Sequence, residues 1–217
     1  QPSGSCPSTQ DRITFVPTAQ EIAEVAVPHL ERAKKPIVSF GQGCEGEPLL
    51  QAQVMEQAIR LIRTQTSRGT INLNTNGSLP RAVEQLALAG LDSIRLSLNS
   101  AQAEHHQRYY QPKGFTLADL CTSLDIMKGL GRHVSLNYFI LPGCTDDPRE
   151  FEAFCRLIER HRPDLIQLRN LNMDPDYYRQ VISHRPDAPP LGMRAWLRAL
   201  RRRFPWLQFG YYNPPIK

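Results

Sequence analysis

Ten polar residues alternate with apolar ones along five short stretches of the chain: Ser39; Asn72 and Asn74; Arg95, Ser97 and Asn99; Ser135 and Asn137; Gln167 and Arg169. Amides, hydroxyls and guanidinium groups hold ligands by hydrogen bonds but transfer protons poorly near neutral pH. A site lined by them suits a reaction whose hard chemistry is carried by a bound cofactor. Arg95 and Arg169 can each grip a carboxylate or phosphate bidentately, or form an internal salt bridge. A second stretch, Val38-Ser-Phe-Gly-Gln-Gly-Cys-Glu-Gly-Glu-Pro-Leu-Leu50, brings glycines at Gly41, Gly43 and Gly46 to the end of a strand. Glycine lets backbone groups approach a ligand closely, and Pro48 suits the first turn of a helix. Taken alone, the stretch reads equally as a ligand loop or a structural turn.

The elements that must position these residues follow from periodicity. Strands are predicted at Lys35–Phe40, Thr70–Thr75, Asp92–Asn99, Arg132–Leu141 and Asp164–Arg169, with a short sixth candidate at Trp206–Gly210. Helices fall between them. Thr18 and Glu21 form a capping box, Ser78 is the expected cap of the helix carrying Val83 and Leu86, and Thr116–Asp119 and Asp147–Glu150 open two more. Alternating strands and helices mean a parallel sheet. Side chains alternate across a strand, so the apolar residues face the helices and the ten polar ones share the other face. A buried polar group without a partner costs about 1–3 kcal/mol. These ten therefore need a ligand, water or one another, and the sheet is expected to curve around a polar cavity.

Composition narrows the class. The 217 residues suffice for one domain with a real core. We expect a flexible lead-in over residues 1–12 and one domain over 13–217, with a helical extension from about 174. No residue after Asp187 is acidic and six are basic, so the net charge of +5 belongs to the C-terminal part. Cys6, Cys44, Cys121, Cys144 and Cys155 are odd in number and irregularly spaced, which argues for free thiols in a reducing, cytoplasmic compartment. No apolar run is long enough to span a membrane, and no initiator methionine or signal segment opens the chain.

Four motifs on successive strand ends carry a resemblance: Gly41-Gln-Gly-Cys-Glu-Gly-Glu-Pro-Leu-Leu50, Asn74-Thr-Asn-Gly77, Ile94-Arg-Leu-Ser-Leu-Asn99 and Asn137-Tyr-Phe-Ile-Leu-Pro-Gly143. In order and spacing they resemble the radical S-adenosylmethionine (SAM) enzymes, over roughly residues 12–175. The likeness implies an incomplete parallel (β/α)6 barrel of the TIM-like kind that holds SAM against a 4Fe–4S cluster. One-electron reduction there cleaves SAM to methionine and a 5′-deoxyadenosyl radical. By the same likeness Gly46, Glu47 and Pro48 form the element whose backbone meets the SAM amino group, with Glu47 shaping the loop. Asn74 and Asn76 line the site, Ser97 and Asn99 resemble the ribose and carboxylate contacts, and Asn137, Pro142, Gly143, Arg169 and Asn170 sit at the adenine. The family's Cys-x3-Cys-x2-Cys loop is not in this chain. The first strand and the cluster cysteines are expected upstream, so this chain alone would be inactive. A flavodoxin or ferredoxin would supply electrons to the complete protein.

Two other readings stay open. An aldolase-like or phosphate-binding barrel enzyme would need Lys, His or Glu in the lumen. A non-catalytic RNA- or partner-binding module would use Arg194, Arg198, Arg201 and Arg202, which project from one face of a helix whose other face is Met193, Trp196, Leu197 and Leu200. His105 and His106 read as a solvated helix face rather than metal ligands. Asp174–Tyr178 reads as a turn or as part of the substrate mouth.

Overall fold

The computed structural model describes residues 15–41, 46–170 and 174–216. The strands are β1 (Ile37–Phe40), β2 (Thr70–Thr75), β3 (Ser93–Leu98), β4 (His133–Ile140), β5 (Leu165–Asn170) and β6 (Gln208–Gly210). They form one sheet in the order β1 to β6, every neighbouring pair parallel. This is the incomplete parallel barrel expected, with six strands in place of five. The sixth is the short Trp206–Gly210 candidate, trimmed to three residues, with Gly210 level with Gln167.

The helices are α1 (Ala19–Arg32), α2 (Ala52–Gln65), α3 (Pro80–Ala89), α4 (Ala103–Tyr110), α5 (Leu117–Gly129), α6 (Pro148–His161), α7 (Pro175–Val181) and α8 (Met193–Arg203). Thr18 and Thr116 cap α1 and α5 with complete capping boxes, and Asp147 caps α6 through the Arg149 and Glu150 amides. Ser78 does not cap α3. Pro80 takes the first helical position and Leu79 the cap, because proline has no N–H to satisfy and keeps the preceding residue out of the helical region. The Ser78 amide instead donates to Asn76 Oδ1 at 2.9 Å.

The core lies between the helices and the apolar face of the sheet. Ile71, Leu73, Ile94, Leu96, Val134, Leu136 and Ile166 are fully buried against Ile59, Ile62, Leu86, Leu124 and Ile158. Near the C-terminus Tyr138, Phe154 and Trp196 lie parallel, with Tyr138 and Phe154 centroids 3.9 Å apart. This stack fastens α6 and α8 to β4. None of the helices among the described residues is long and apolar enough to cross a membrane.

Gly41 closes β1 at φ +74°, where an added Cβ would lie 2.2 Å from the Asn74 carbonyl oxygen. A backbone oxygen cannot move aside as a side chain can. Gly41→Ala is expected to destabilise the fold by about 2 kcal/mol or more in urea denaturation, with the glycine-rich loop displaced from β2.

Candidate functional site

The polar face of the sheet is a hydrogen-bonded surface. Asn72 Nδ2 donates to Asn74 Oδ1 at 2.9 Å and to Ser39 Oγ at 3.3 Å, and Ser93 Oγ donates to Asn72 Oδ1 at 2.8 Å. Arg95 Nη1 donates to Gln167 Oε1 at 3.2 Å, and Asn74 Nδ2 to the Gly41 carbonyl at 3.3 Å. The lower lumen residues thus satisfy one another. His133 shares this face at the amino end of β4, where Ser135 Oγ is 3.3 Å from its Nε2.

Higher up, the lumen has unmet acceptors. Asn99 Nδ2 donates to the Tyr178 hydroxyl at 3.3 Å and to the His105 carbonyl at 3.4 Å, while Tyr178 donates back to the Asn99 carbonyl. Both amide hydrogens of Asn99 are therefore engaged, and its Oδ1 is buried without a donor. Asn137 Oδ1 is also buried without one. Tyr178 comes from α7, so the Asp174–Tyr178 segment is a capped helix that orders the end of β3, not a turn.

Glu47 holds the first loop to the second strand. Its Oε1 accepts from the Leu49 amide at 3.0 Å and from Thr75 Oγ1, and its Oε2 accepts from the Asn76 amide at 2.8 Å. Gly46 beside it is exposed at φ +102°, with open space where a side chain would be. Across the lumen, the Gly143 amide donates to Asp146 Oδ1 at 2.6 Å and the Leu141 amide to Thr145 Oγ1 at 2.8 Å. Two amides of that loop are therefore occupied by its own side chains, while Asn137 lies deeper on β4, level with Ser97 and Gln167. Ser97 lies half-buried between Asn99 and Arg95. Gln42–Glu45, including Gly43 and Cys44, lie outside the described residues, as do the side chains of Arg169 and Asn170.

Behind β3 and β4, Glu150 is buried and accepts four hydrogen bonds: from Ser100 Oγ, the Ala101 amide at 2.7 Å, Gln102 Nε2 at 2.9 Å and Tyr138 OH at 2.7 Å. It ties the loop after Asn99 to α6. Burial, with the Glu150 carboxylate beside it, holds the Tyr138 phenol far above its ordinary pKa.

The expectation of a solvated histidine face fails. His106 is buried against Tyr110 and Phe115, because α4 packs on α5 and α7, and His105 is half-buried beside Glu150. Among the described residues no group of three His, Cys, Asp or Glu side chains can hold a metal. Burial lowers the pKa of His106. Its unfolded value is about 6.5, so stability is full above that pH and is lost as acid protonates the unfolded chain first. His106→Phe is expected to flatten this dependence between pH 5 and 7 by up to about 1.4 kcal/mol per pH unit, read from urea midpoints across that range.

Strand ends around a polar lumen, with glycine backbone and lone amide acceptors, define a partial parallel barrel with a candidate ligand site. The profile of the Radical SAM superfamily matches residues 5–158. The chain belongs to the radical SAM superfamily. It is 31% identical over 114 residues to a GTP 3′,8-cyclase of Heliobacterium modesticaldum, covering 52% of this chain and 33% of that protein. It is 31% identical over 137 residues to a probable dual-specificity RNA methyltransferase of a Synechococcus species, covering 60% of this chain and 38% of that one. The chain thus spans well under half the length of either relative. Among solved structures, a radical SAM methyltransferase from Sphaerobacter thermophilus superposes with TM-score 0.61 at 20% identity, over 92% of this chain and 59% of that one. SuiB of Streptococcus suis bound to S-adenosylmethionine superposes with TM-score 0.62 at 13% identity, over 94% and 45%. These two likenesses are of fold.

Proposed function

We propose that this chain is the SAM-binding core of a radical SAM enzyme, with SAM lying along the carboxyl ends of β1 to β5. The observation that carries the reading is the pair of buried, donorless oxygens on Asn99 and Asn137. Both call for a hydrogen-bond donor in the lumen, and SAM offers donors in its ammonium, ribose hydroxyls and adenine amine. Asn99, fixed by Tyr178, and Ser97 would meet the ribose and carboxylate end. Gly46 and Pro48 would present backbone to the ammonium while Glu47 keeps the loop in place, with Asn74 and Asn76 on the adjacent wall. Asn137 would receive the adenine amine, with Pro142, Gly143, Arg169 and Asn170 closing that side.

Bound SAM, given one electron from a donor outside the described residues, would supply the radical that takes a hydrogen atom from a substrate in the lumen. The described residues do not fit a 4Fe–4S cluster, and no cluster ligand is assigned among them; a flavodoxin or ferredoxin would supply electrons to the complete protein. This chain's own residues orient the cofactor and seat the substrate. Glu150 lines the same small cavity as Asn99 but spends both carboxylate oxygens on four donors, and His133, on the lumen face, lies four residues below Asn137, about 13 Å along the strand. That separation weighs against an aldolase-like reaction. The basic face of α8 is partly engaged, since Arg203 pairs with Glu152 and Glu159 and Arg201 lies over Phe209, which weighs against an RNA-binding module. The substrate class is that of neither relative in particular.

The reading is tested by titrating SAM into the protein by calorimetry. Asn99→Leu and Asn137→Leu should each weaken binding about tenfold, the effect of losing one buried hydrogen bond. Unchanged affinity in both variants would refute the placement.

A further inference from the structure

The segment after β6 turns back into the lumen. Asn213 Oδ1 accepts from Gln167 Nε2 at 2.8 Å, and Asn213 Nδ2 donates to Asn74 Oδ1 at 3.2 Å. Three residues on, the Ile216 amide donates to Thr70 Oγ1 at 2.7 Å. Thr70, Asn72 and Asn74 share the polar face of β2. The tail therefore runs down that face toward the amino end of the strand, joining β5 and β6 to β2 across the side that an unclosed barrel leaves open. It is the floor of the lumen.

The bonds through this floor have a direction. A guanidinium can only donate, so Arg95 turns the oxygen of Gln167 toward itself and the NH2 of Gln167 toward Asn213. Asn213 accepts there and gives its own NH2 to Asn74, whose oxygen also accepts from Asn72. The NH2 of Asn74 is left to donate to the Gly41 carbonyl, at the head of the glycine-rich loop. One donor-only group on β3 thus fixes the orientation of three amides in series, ending at the opposite wall.

We propose that Asn213 is a positioning residue: it carries the orientation set at Arg95 across the lumen floor to the Gly41 loop, and so holds the loop that faces the cofactor while limiting how deep a substrate can sit. The consequence for SAM and substrate rests on the function proposed above; the relay itself involves only this chain's own groups.

Asn213→Asp keeps the side chain's shape and its bond to Gln167 but sets an oxygen against Asn74 Oδ1. Asn74 must then turn over, and its oxygen meets the Gly41 carbonyl. Asn213→Leu removes both bonds and reverses nothing. Hydrogen exchange of the segment 37–51 and the thermal midpoint are measured for both variants in the full chain, with SAM affinity by calorimetry. The Asp variant should exchange about tenfold faster over 37–51, the Leu variant less than about threefold, with equal midpoints and unchanged exchange in α6. SAM affinity should fall in the same order. Gln167→Glu reverses the relay one link earlier and should loosen the same segment, which decides the matter if Asn213→Asp does not fold. Equal exchange over 37–51 in the Asp and Leu variants, or no change in that segment with Gln167→Glu, would overturn the proposal. The exchange difference between the variants, found together with no SAM binding by the wild-type protein, would refute the cofactor reading and uphold the relay.

Discussion

Glu150→Ala is expected to destabilise the protein by about 3–5 kcal/mol, more than any other single substitution discussed for the polar network. The carboxylate is 4% exposed and gathers two side-chain hydroxyls, one amide side chain and one backbone amide. Alanine leaves these four donors buried without their acceptor. The Tyr138 hydroxyl would be stranded in the stack that fastens α6 and α8 to β4, so the loss spreads to the core. Glu150→Gln should cost less, because one oxygen remains, yet its NH2 must face two of the donors. The check is urea denaturation of both variants. The same change should loosen Ser100–Gln102 and with it Asn99, so that SAM affinity falls even at temperatures where the variant is folded.

The effect expected of Glu47→Gln falls on binding more than on stability. The carboxylate uses one oxygen for Leu49 and Thr75 and the other for the Asn76 amide. Glutamine can satisfy only one side; its NH2 on the other meets an N–H donor. The loop carrying Gly46 and Pro48 is then released from the end of β2. A loss of about 1–2 kcal/mol in stability and at least about tenfold in SAM affinity is expected. A shaping role also predicts that the pH dependence of SAM cleavage is the same in Glu47→Gln as in the wild type. If Glu47 were a proton donor, the variant would lose a limb of that profile.

Much of the fold is written in local patterns. The capping boxes at Thr18 and Thr116, the Asp147 cap and the alternation in Ile71-Asn-Leu-Asn74 and Ile94-Arg-Leu-Ser-Leu-Asn99 each depend on residues a few positions apart. Strand parity alone puts the polar side chains on one face. It does not say how far they satisfy one another, because that depends on contacts between strands. Ser78 misled because Pro80, two residues on, decides where α3 begins. His106 misled because its neighbours are polar; its ring packs on Tyr110 one turn on and on Phe115 beyond the end of α4. Glu150 is legible as a first-turn acid of α6, but its four donors come from the β3 end and from β4. Asn213 left no local sign at all. It lies in a proline-flanked tail without periodicity, and its partner Asn74 is 139 positions away.

The most direct measurement of the central claim is product formation by the complete protein, loaded anaerobically with iron and sulfide and reduced in the presence of SAM. The account predicts 5′-deoxyadenosine and methionine in equal amounts, with formation falling together with SAM affinity in Asn99→Leu and Asn137→Leu. A protein that carries its full complement of iron and sulfide, accepts an electron and leaves SAM intact would contradict it.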